Sequence, residues 1–239
     1  MKIPAFLARS FAGASLLLAL GTVPAHGQTL FLNGLPNGVG GVSSEQDLSV
    51  SQSMIYDDFI VGGSGWNVTG LSGYFLSQYL TSTAAWEIRS GISLGDGGSL
   101  LESGTSSMAM TATGNTVVGL TEYQTDISGL SFFLAPGTYW MGISLINGTS
   151  GGQAFVEVTS GSGGVNSDPD LLAFWNSSFF GADFASAEDA GLTGPSDFAY
   201  DVEGTAAEIN TVPEPSTMAL FATGLVGMAG AGVKRRRRK

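Results

Sequence analysis

The sequence predicts an all-β protein, a β-sandwich or jelly roll, flanked by an N-terminal signal-peptide helix and a C-terminal transmembrane helix. Strand-like alternation of apolar and polar residues recurs between residues 28 and 208, without a long helical stripe. Glycine accounts for 36 of the 239 residues and clusters with serine in turn-like segments. Short strands between frequent turns favour a sandwich, and the lack of an internal repeat argues against a propeller.

The N-terminal segment, residues 1–27, has the three parts of a secretory signal peptide. Lys2 and Arg9 give it a positive start, and an apolar run too short to cross a membrane comfortably follows them. Small residues then precede a predicted cleavage between Gly27 and Gln28, with Ala25 as a nearby alternative. A retained N-terminal anchor is the other interpretation.

The clearest strand pattern lies at Thr138–Ile146, where Tyr139, Met141, Ile143 and Leu145 fall on one face. A second apolar segment, Leu130–Leu134, precedes it. The Pro136-Gly137 pair between them fits a type II turn, so we predict that the two segments form a hairpin.

The last predicted strand has one dry and one wet face. Phe198, Tyr200 and Val202 alternate with Ala199 and the acidic residues Asp201 and Glu203. The ectodomain is therefore expected to span residues 28–208, one domain with an adequate core.

A second apolar run, residues 216–233, ends the chain together with a basic cluster. Eighteen helical residues extend about 27 Å, just enough for a hydrocarbon core of about 30 Å. The cluster consists of Lys234, Arg235, Arg236, Arg237, Arg238 and Lys239. By the positive-inside rule it stays in the cytoplasm, so the helix stops export and the domain ends up outside.

The C-terminal segment 209–239 resembles the PEP-CTERM sorting signal of Gram-negative bacteria, also labelled the ice-binding-protein C-terminal domain. The residues that carry this resemblance are Val212, Pro213, Glu214 and Pro215, followed by the apolar helix and the arginine cluster. It implies recognition by an exosortase, a membrane-embedded cysteine transpeptidase that cuts near the motif. It also implies a place at the cell surface or in the biofilm matrix. An ordinary permanent anchor is the alternative.

Four internal segments also resemble β-sandwich ectodomains that are common among PEP-CTERM proteins. These segments are Tyr56–Phe59, Trp66–Leu71, Pro136–Trp140 and Asp197–Tyr200. The likeness implies architecture and little chemistry.

The negative charge of the ectodomain argues against negatively charged partners. Residues 28–212 contain 19 of the 20 acidic residues and a single basic one, Arg89, for a formal charge of −18. Nucleic acids and anionic membranes would repel such a domain, because phosphate binding needs lysine or arginine. Arg89 itself is expected to pair with a neighbouring carboxylate, or else to bind the carboxylate of an acidic sugar.

Missing residue types exclude several kinds of active site. The chain has no cysteine, its one histidine is His26, and residues 28–212 contain no lysine. Serine–histidine and cysteine–histidine nucleophiles, Schiff bases and histidine-bound zinc or iron are therefore excluded from the ectodomain. Carboxylate chemistry remains.

Calcium is one ligand that carboxylates could take, and we predict no other cofactor. Asp168 and Asp170 follow a polar loop, and Asp57 and Asp58 are adjacent. The Glu188-Asp189 pair is a further calcium candidate. No EF-hand spacing is present, so a solvated acidic surface is the competing interpretation.

Polysaccharide is the other ligand class left open. A carboxylate-based glycoside hydrolase or lyase would need two facing acids, for which Glu87 and Glu157 on adjacent strands are one choice. Binding without catalysis needs exposed aromatic rings instead. Those considered are Trp66, Trp86, Trp140, Trp175, Tyr74, Tyr79 and Tyr123, and most are expected in the core. The segment Trp175–Phe180, in a polar loop at a strand end, is the exception.

Together these features predict an exported, exosortase-processed surface or matrix protein without catalytic activity. Its expected partners are the secretion translocon, the exosortase and, transiently, the inner membrane. Exopolysaccharide is a further candidate partner, and nucleic acid is not.

Overall fold

A computed structural model describes residues 27–47, 52–148, 151–167, 172–191 and 196–208. These residues form thirteen β-strands and one short 3₁₀ helix, so the predicted all-β class is confirmed. Over those ranges, no helix is long and apolar enough to cross a membrane. Both predicted terminal helices lie outside the described residues.

The strands and the 3₁₀ helix have the following bounds. They are β1 (Gln28–Leu32), β2 (Pro36–Ser43), β3 (Glu45–Asp47), β4 (Ser53–Val61), β5 (Trp66–Ser77), β6 (Thr83–Ser90), β7 (Ser99–Val117), β8 (Leu120–Leu134), β9 (Gly137–Asn147), β10 (Ala154–Thr159), β11 (Phe174–Ser177), β12 (Ala182–Ser186), the 3₁₀ helix (Ala187–Ala190) and β13 (Tyr200–Ala206).

All thirteen strands belong to one continuous sheet, with the main order β1-β13-β5-β8-β7-β6-β9-β4-β11-β12. The first part of the long strand β7 pairs with β6, and its second part pairs with β8. Strand β7 therefore joins two halves of the sheet. The β5 half holds β1, β13, β5 and β8, with β10 paired to β5 and β2 paired to β10. The β9 half holds β6, β9, β4, β11 and β12, with β3 parallel to β9.

The two halves pack face to face through an aromatic core. Phe31 of β1 contacts Phe59 of β4 with ring centroids 5.6 Å apart, and Phe59 stacks on Trp66 of β5 at 6.0 Å. The Tyr200 hydroxyl of β13 donates a hydrogen bond to the backbone oxygen of Ile55 in β4. Burial of these large side chains removes apolar surface from water, which is the main favourable term in folding.

Both predicted dry faces are buried. In β9, the side chains of Met141, Ile143 and Leu145 are completely inaccessible to solvent, and Tyr139 at the start of the same face is partly buried. Phe198, Tyr200 and Val202 are buried as well, whereas Asp201 and Glu203 are partly exposed. The alternation in the sequence therefore identifies which faces of β9 and β13 form the core.

The predicted hairpin around Pro136 and Gly137 is wrong. Strand β8 ends opposite Trp66 of β5, whereas β9 begins opposite Val61 of β4, so β8 and β9 do not pair with each other. The turn carries the chain from one half of the sheet to the other. A Pro-Gly turn determines where the chain changes direction, whereas packing in the core determines which strands pair.

The two ends of the described domain lie side by side. Gln28, the first residue of β1, pairs with Gly204 near the end of β13. Strand β13 is flanked on its other edge by β5 along its whole length.

Candidate functional site

Several sequence-predicted sites fall outside the described residues. These are the sorting motif Val212–Pro215, the basic cluster at the C-terminus, and the calcium candidates Asp168 and Asp170. Of the predicted signal cleavage site, Gly27 and Gln28 are both described, and Gln28 opens β1. Cleavage itself stays a prediction.

The other calcium candidates, Asp57 and Asp58, are both buried in β4 but point to opposite faces of the sheet. Asp57 lies on the core side with Ile55 and Phe59, whereas Asp58 lies on the side of Tyr56. The two carboxylates therefore do not face a common site, and calcium binding by either one stays a prediction. Among the residues described, no group of three or more acidic or histidine side chains is arranged to hold a metal ion.

Asp57 lies in a buried polar cluster that sequence reasoning missed. Its Oδ2 atom accepts hydrogen bonds from the Asn33 amide, at 2.9 Å, and from the backbone N–H of Phe198. Burial raises the pKa of Asp57 well above its usual range, and the negative charge of Asp197 raises it further. Asn33 was not singled out from the sequence because an isolated asparagine in a loop carries no pattern.

The two glutamates considered for catalysis, Glu87 and Glu157, are not on adjacent strands. Glu87 is in β6, which pairs with β7 and β9, whereas Glu157 is in β10, which pairs with β2 and β5. Glu157 is completely buried, and burial raises its pKa to about 8, with the charge of Glu122 raising it further.

Arg89 forms the predicted ion pair. Its Nε atom lies 2.6 Å from Glu87 Oε2, and another guanidinium nitrogen donates to the Gly97 backbone oxygen at 3.0 Å. The guanidinium also lies over the rings of Tyr56 and Phe184, 5.6 and 5.2 Å from their centroids. These contacts leave Arg89 poorly placed to bind the carboxylate of an acidic sugar.

Of the four tryptophans, Trp66, Trp86 and Trp175 are buried and Trp140 is partly buried. Trp175 donates its indole N–H to the Ser53 hydroxyl at 2.7 Å, which fixes it inside the β9 half. The tyrosines Tyr74, Tyr79 and Tyr123 are partly buried. Core packing therefore accounts for most of the aromatic residues.

Two adjacent exposed aromatic rings lie instead in the turn between β11 and β12. Phe179 and Phe180 are 53% and 56% exposed, and their rings meet edge to face with centroids 4.7 Å apart. Phe180 also contacts Trp175, at 5.1 Å between centroids. The sequence predicted that an aromatic residue of the segment Trp175–Phe180 is exposed. Trp175 is not that residue, because it lies on the buried face of β11.

Three recesses open around this turn. The first, of about 140 Å³, is polar and contains Gln46, Gln52, Ser53, Met54, Tyr56, Glu87, Asn176 and Ser178. The second, of about 240 Å³, contains Ser43, Glu45, Asp47, Gly151, Gly152, Gln153, Phe179 and Phe180. The third, of about 390 Å³, contains Gly41, Val42, Ser43, Phe155, Trp175, Phe180, Asp189, Ala190 and Gly191. We call the turn and these recesses the turn surface.

Short-range contacts position the polar groups of the first recess. The Tyr56 hydroxyl donates to Glu87 Oε2 at 2.8 Å, and the Gln52 backbone N–H donates to the Ser178 hydroxyl at 3.2 Å. Strand β3 contributes to two recesses, because Gln46 faces the first while Glu45 and Asp47 face the second. The arrangement offers amide, hydroxyl and carboxylate groups beside two exposed rings.

Comparison with known proteins identifies the C-terminal segment. Residues 211–238 match the family model of the PEP-CTERM protein-sorting motif, which confirms the resemblance found in the sequence. No match to the chain was found among curated proteins. The motif indicates recognition by an exosortase and therefore an exported protein with a membrane-anchored precursor.

Proposed function

We propose that this exported protein binds polysaccharide without catalysis, through the turn surface. The observation that carries the proposal is the pair Phe179 and Phe180, side by side and more than half exposed, in a recess that also contains Glu45, Asp47 and Gln153. Exposed apolar groups rimmed by polar residues are typical of interaction sites. Aromatic rings stack well on the C–H faces of sugar rings.

The polar residues of the first recess supply the directional part of such binding. Amides such as Gln46, Gln52 and Asn176 can donate and accept at once, which suits the paired hydroxyl groups of a sugar. Two of the three recesses are smaller than the roughly 300 Å³ at which small-molecule pockets begin. A polymer lying across the surface, with single sugar units in the recesses, fits this shape.

Charge narrows the ligand to a neutral polysaccharide. Glu45, Asp47, Glu87 and Asp189 all line the recesses, and Arg89, the one basic side chain in the described part of the chain, is paired with Glu87. Acidic polymers such as polyuronates would be repelled by this field.

The contacts of Glu87 support binding rather than hydrolysis. Its Oε2 atom accepts hydrogen bonds from both Arg89 and Tyr56, so this oxygen is already engaged by the protein and is not free to act on a bound sugar. A glycoside hydrolase or lyase activity is the alternative function that the experiment below must distinguish.

The proposal also includes cleavage of the chain at both ends. The signal peptide is removed before Gln28, the exosortase cuts near Pro213-Glu214-Pro215, and the β-sandwich ectodomain reaches the cell surface or the biofilm matrix. The sorting motif supports the exosortase step. A polysaccharide-binding surface is consistent with that destination.

A glycan array with the purified full-length protein tests the binding site. We expect binding to neutral polysaccharides, at least tenfold weaker in Phe179→Ala/Phe180→Ala. Phe133→Ala is the matched control, because Phe133 is also 53% exposed but belongs to β8 in the other half of the sheet. Equal loss in the control, or binding restricted to acidic glycans, would contradict the proposal. Release of reducing sugar from a bound glycan would favour the enzyme.

A further inference from the structure

A group of buried oxygen atoms between the two halves of the sheet has no role in the turn surface. Asn33 follows β1, Asp57 belongs to β4, and Asp197 lies just before β13. All three side chains are at least 95% buried. Each comes from a different part of the chain, so the fold itself brings them together.

Hydrogen bonds define the geometry of this group. Asp57 Oδ2 accepts from the Asn33 amide and from the backbone N–H of Phe198, the residue that follows Asp197. Asp57 Oδ1 has no hydrogen-bond partner among the described residues. One oxygen of the carboxylate is therefore fixed by the protein and the other is left for a ligand.

Asn33 gives a second and independent indication. It is neutral and 2% exposed, and its Oδ1 atom likewise has no hydrogen-bond partner in the described part of the chain. Burying an amide oxygen without a partner costs about 1–3 kcal/mol. Asn33 is also the residue whose amide N–H binds Asp57 Oδ2, so one pair of contacting side chains carries two unpartnered oxygen atoms of the kind that a hard cation prefers.

We propose that Asn33, Asp57 and Asp197 bind one calcium ion, through the amide oxygen and the two carboxylates. Calcium takes six to eight oxygen ligands from carboxylates, amide oxygens and water, in flexible geometry. Two carboxylates balance the charge of the ion. The site is consistent with the absence of a three-acid group from the described residues, because its third ligand is an amide.

Protonation is another way to compensate the buried carboxylates, but it compensates them less completely than a divalent cation. Protonation of Asp57 neutralises one carboxylate, whereas a divalent cation balances both Asp57 and Asp197 and also accepts the lone pair of Asn33. Calcium would tie the end of β1 to β4 and to the start of β13. Extracellular modules bind calcium with dissociation constants of about 10⁻⁴–10⁻³ M. Such an affinity suits an exported protein, because calcium outside the cell can reach these concentrations.

Calorimetric titration of the full-length protein with calcium chloride, after removal of metal by chelator, is the first test. We expect one ion per chain, and a Tm several degrees higher in 5 mM calcium than in sodium chloride of equal ionic strength. Magnesium should give much less. Lack of stoichiometric binding, or an equal effect of magnesium, would overturn the proposal.

Variants then locate the ion. Asp57→Asn should lose the calcium-dependent rise in Tm, and Asp58→Asn should keep it, because Asp58 is equally buried and adjacent but faces the other side of β4. Asn33→Asp should bind calcium at least tenfold more tightly, while being less stable in chelator. Loss in Asp58→Asn but not in Asp57→Asn would contradict the assignment, as would weaker binding by Asn33→Asp. If Asp57→Asn does not fold, the titrations of the wild type and of Asn33→Asp decide.

Discussion

The hydroxyl of Tyr200 lies 3.1 Å from the backbone oxygen of Ile55 and donates a hydrogen bond to it across the core. The same hydroxyl accepts a hydrogen bond from the Ile143 N–H at 3.4 Å. Tyr200 is completely buried, so water cannot replace either bond. One side chain of β13 thus binds two strands of the opposite half.

Removal of this hydroxyl should be costly. Tyr200→Phe keeps the ring but leaves a buried carbonyl and a buried N–H with fewer partners, which we expect to lower the free energy of unfolding by about 1–3 kcal/mol. Denaturant titration measures it. Tyr123→Phe, at a partly exposed site, is the control and should change stability by less than about 0.5 kcal/mol. Equal effects of the two substitutions would argue against the cross-core bond.

Stability should fall as pH rises from about 4.5 to about 8. Burial raises the pKa of Glu157 to about 8, from 4.5 in an unfolded chain, and raises the pKa of Asp201 to about 7. The folded state therefore holds protons that the unfolded state releases within this range, so their stabilisation is complete below pH 4.5 and is lost through pH 8. Melting curves in chelator measure the trend.

Glu157→Gln should flatten this pH dependence and raise the Tm at pH 8, because the amide mimics the neutral acid. The exposed Glu102→Gln is the control. A steeper pH dependence in Glu157→Gln would show that Glu157 is ionised in the folded protein.

Val118 occupies a backbone conformation that valine disfavours. It has φ of +45° in the two-residue turn between β7 and β8, next to Gly119 at +83°. Such turns need two left-handed residues, for which asparagine is well suited. We expect Val118→Asn to raise stability by about 1 kcal/mol, or a few degrees in Tm. Val39→Asn, at another largely exposed valine without positive φ, should not.

Processing at both ends can be read from intact mass. The protein isolated from exosortase-positive cells should lack residues 1–27 and the basic cluster. Replacing Arg235–Arg238 with glutamine should weaken the stop signal and reduce processing. Wild-type retention and processing of this variant would show that the cluster is not the stop signal.

Alternation in the sequence was enough to predict the class of the fold and the buried faces of β9 and β13. It missed β2, whose sequence PNGVGGVS has no apolar face and whose pairing comes from β10. Strand pairing was also beyond the sequence, because the chain after Pro136 joins a different half of the sheet. Local signals report direction and burial, while long-range packing decides partners.

The candidate sites were likewise predictable only in part from the sequence. Asp57 was recognised as a possible ligand, but its partner Asn33 lies 24 positions away and only the fold brings them together. The exposure of the Trp175–Phe180 segment was predicted from its polar setting. Which of its rings are exposed depends on where β11 ends and the turn begins.

The position of β13 has a mechanical consequence. This strand precedes the sorting motif, so any load applied to a tethered C-terminus enters the domain along it. It lies between β1 and β5, with hydrogen bonds on both edges. Pulling lengthwise therefore shears both ladders together, whereas a strand at the edge could be peeled away one bond at a time. The domain is attached by a strand well placed to withstand tension.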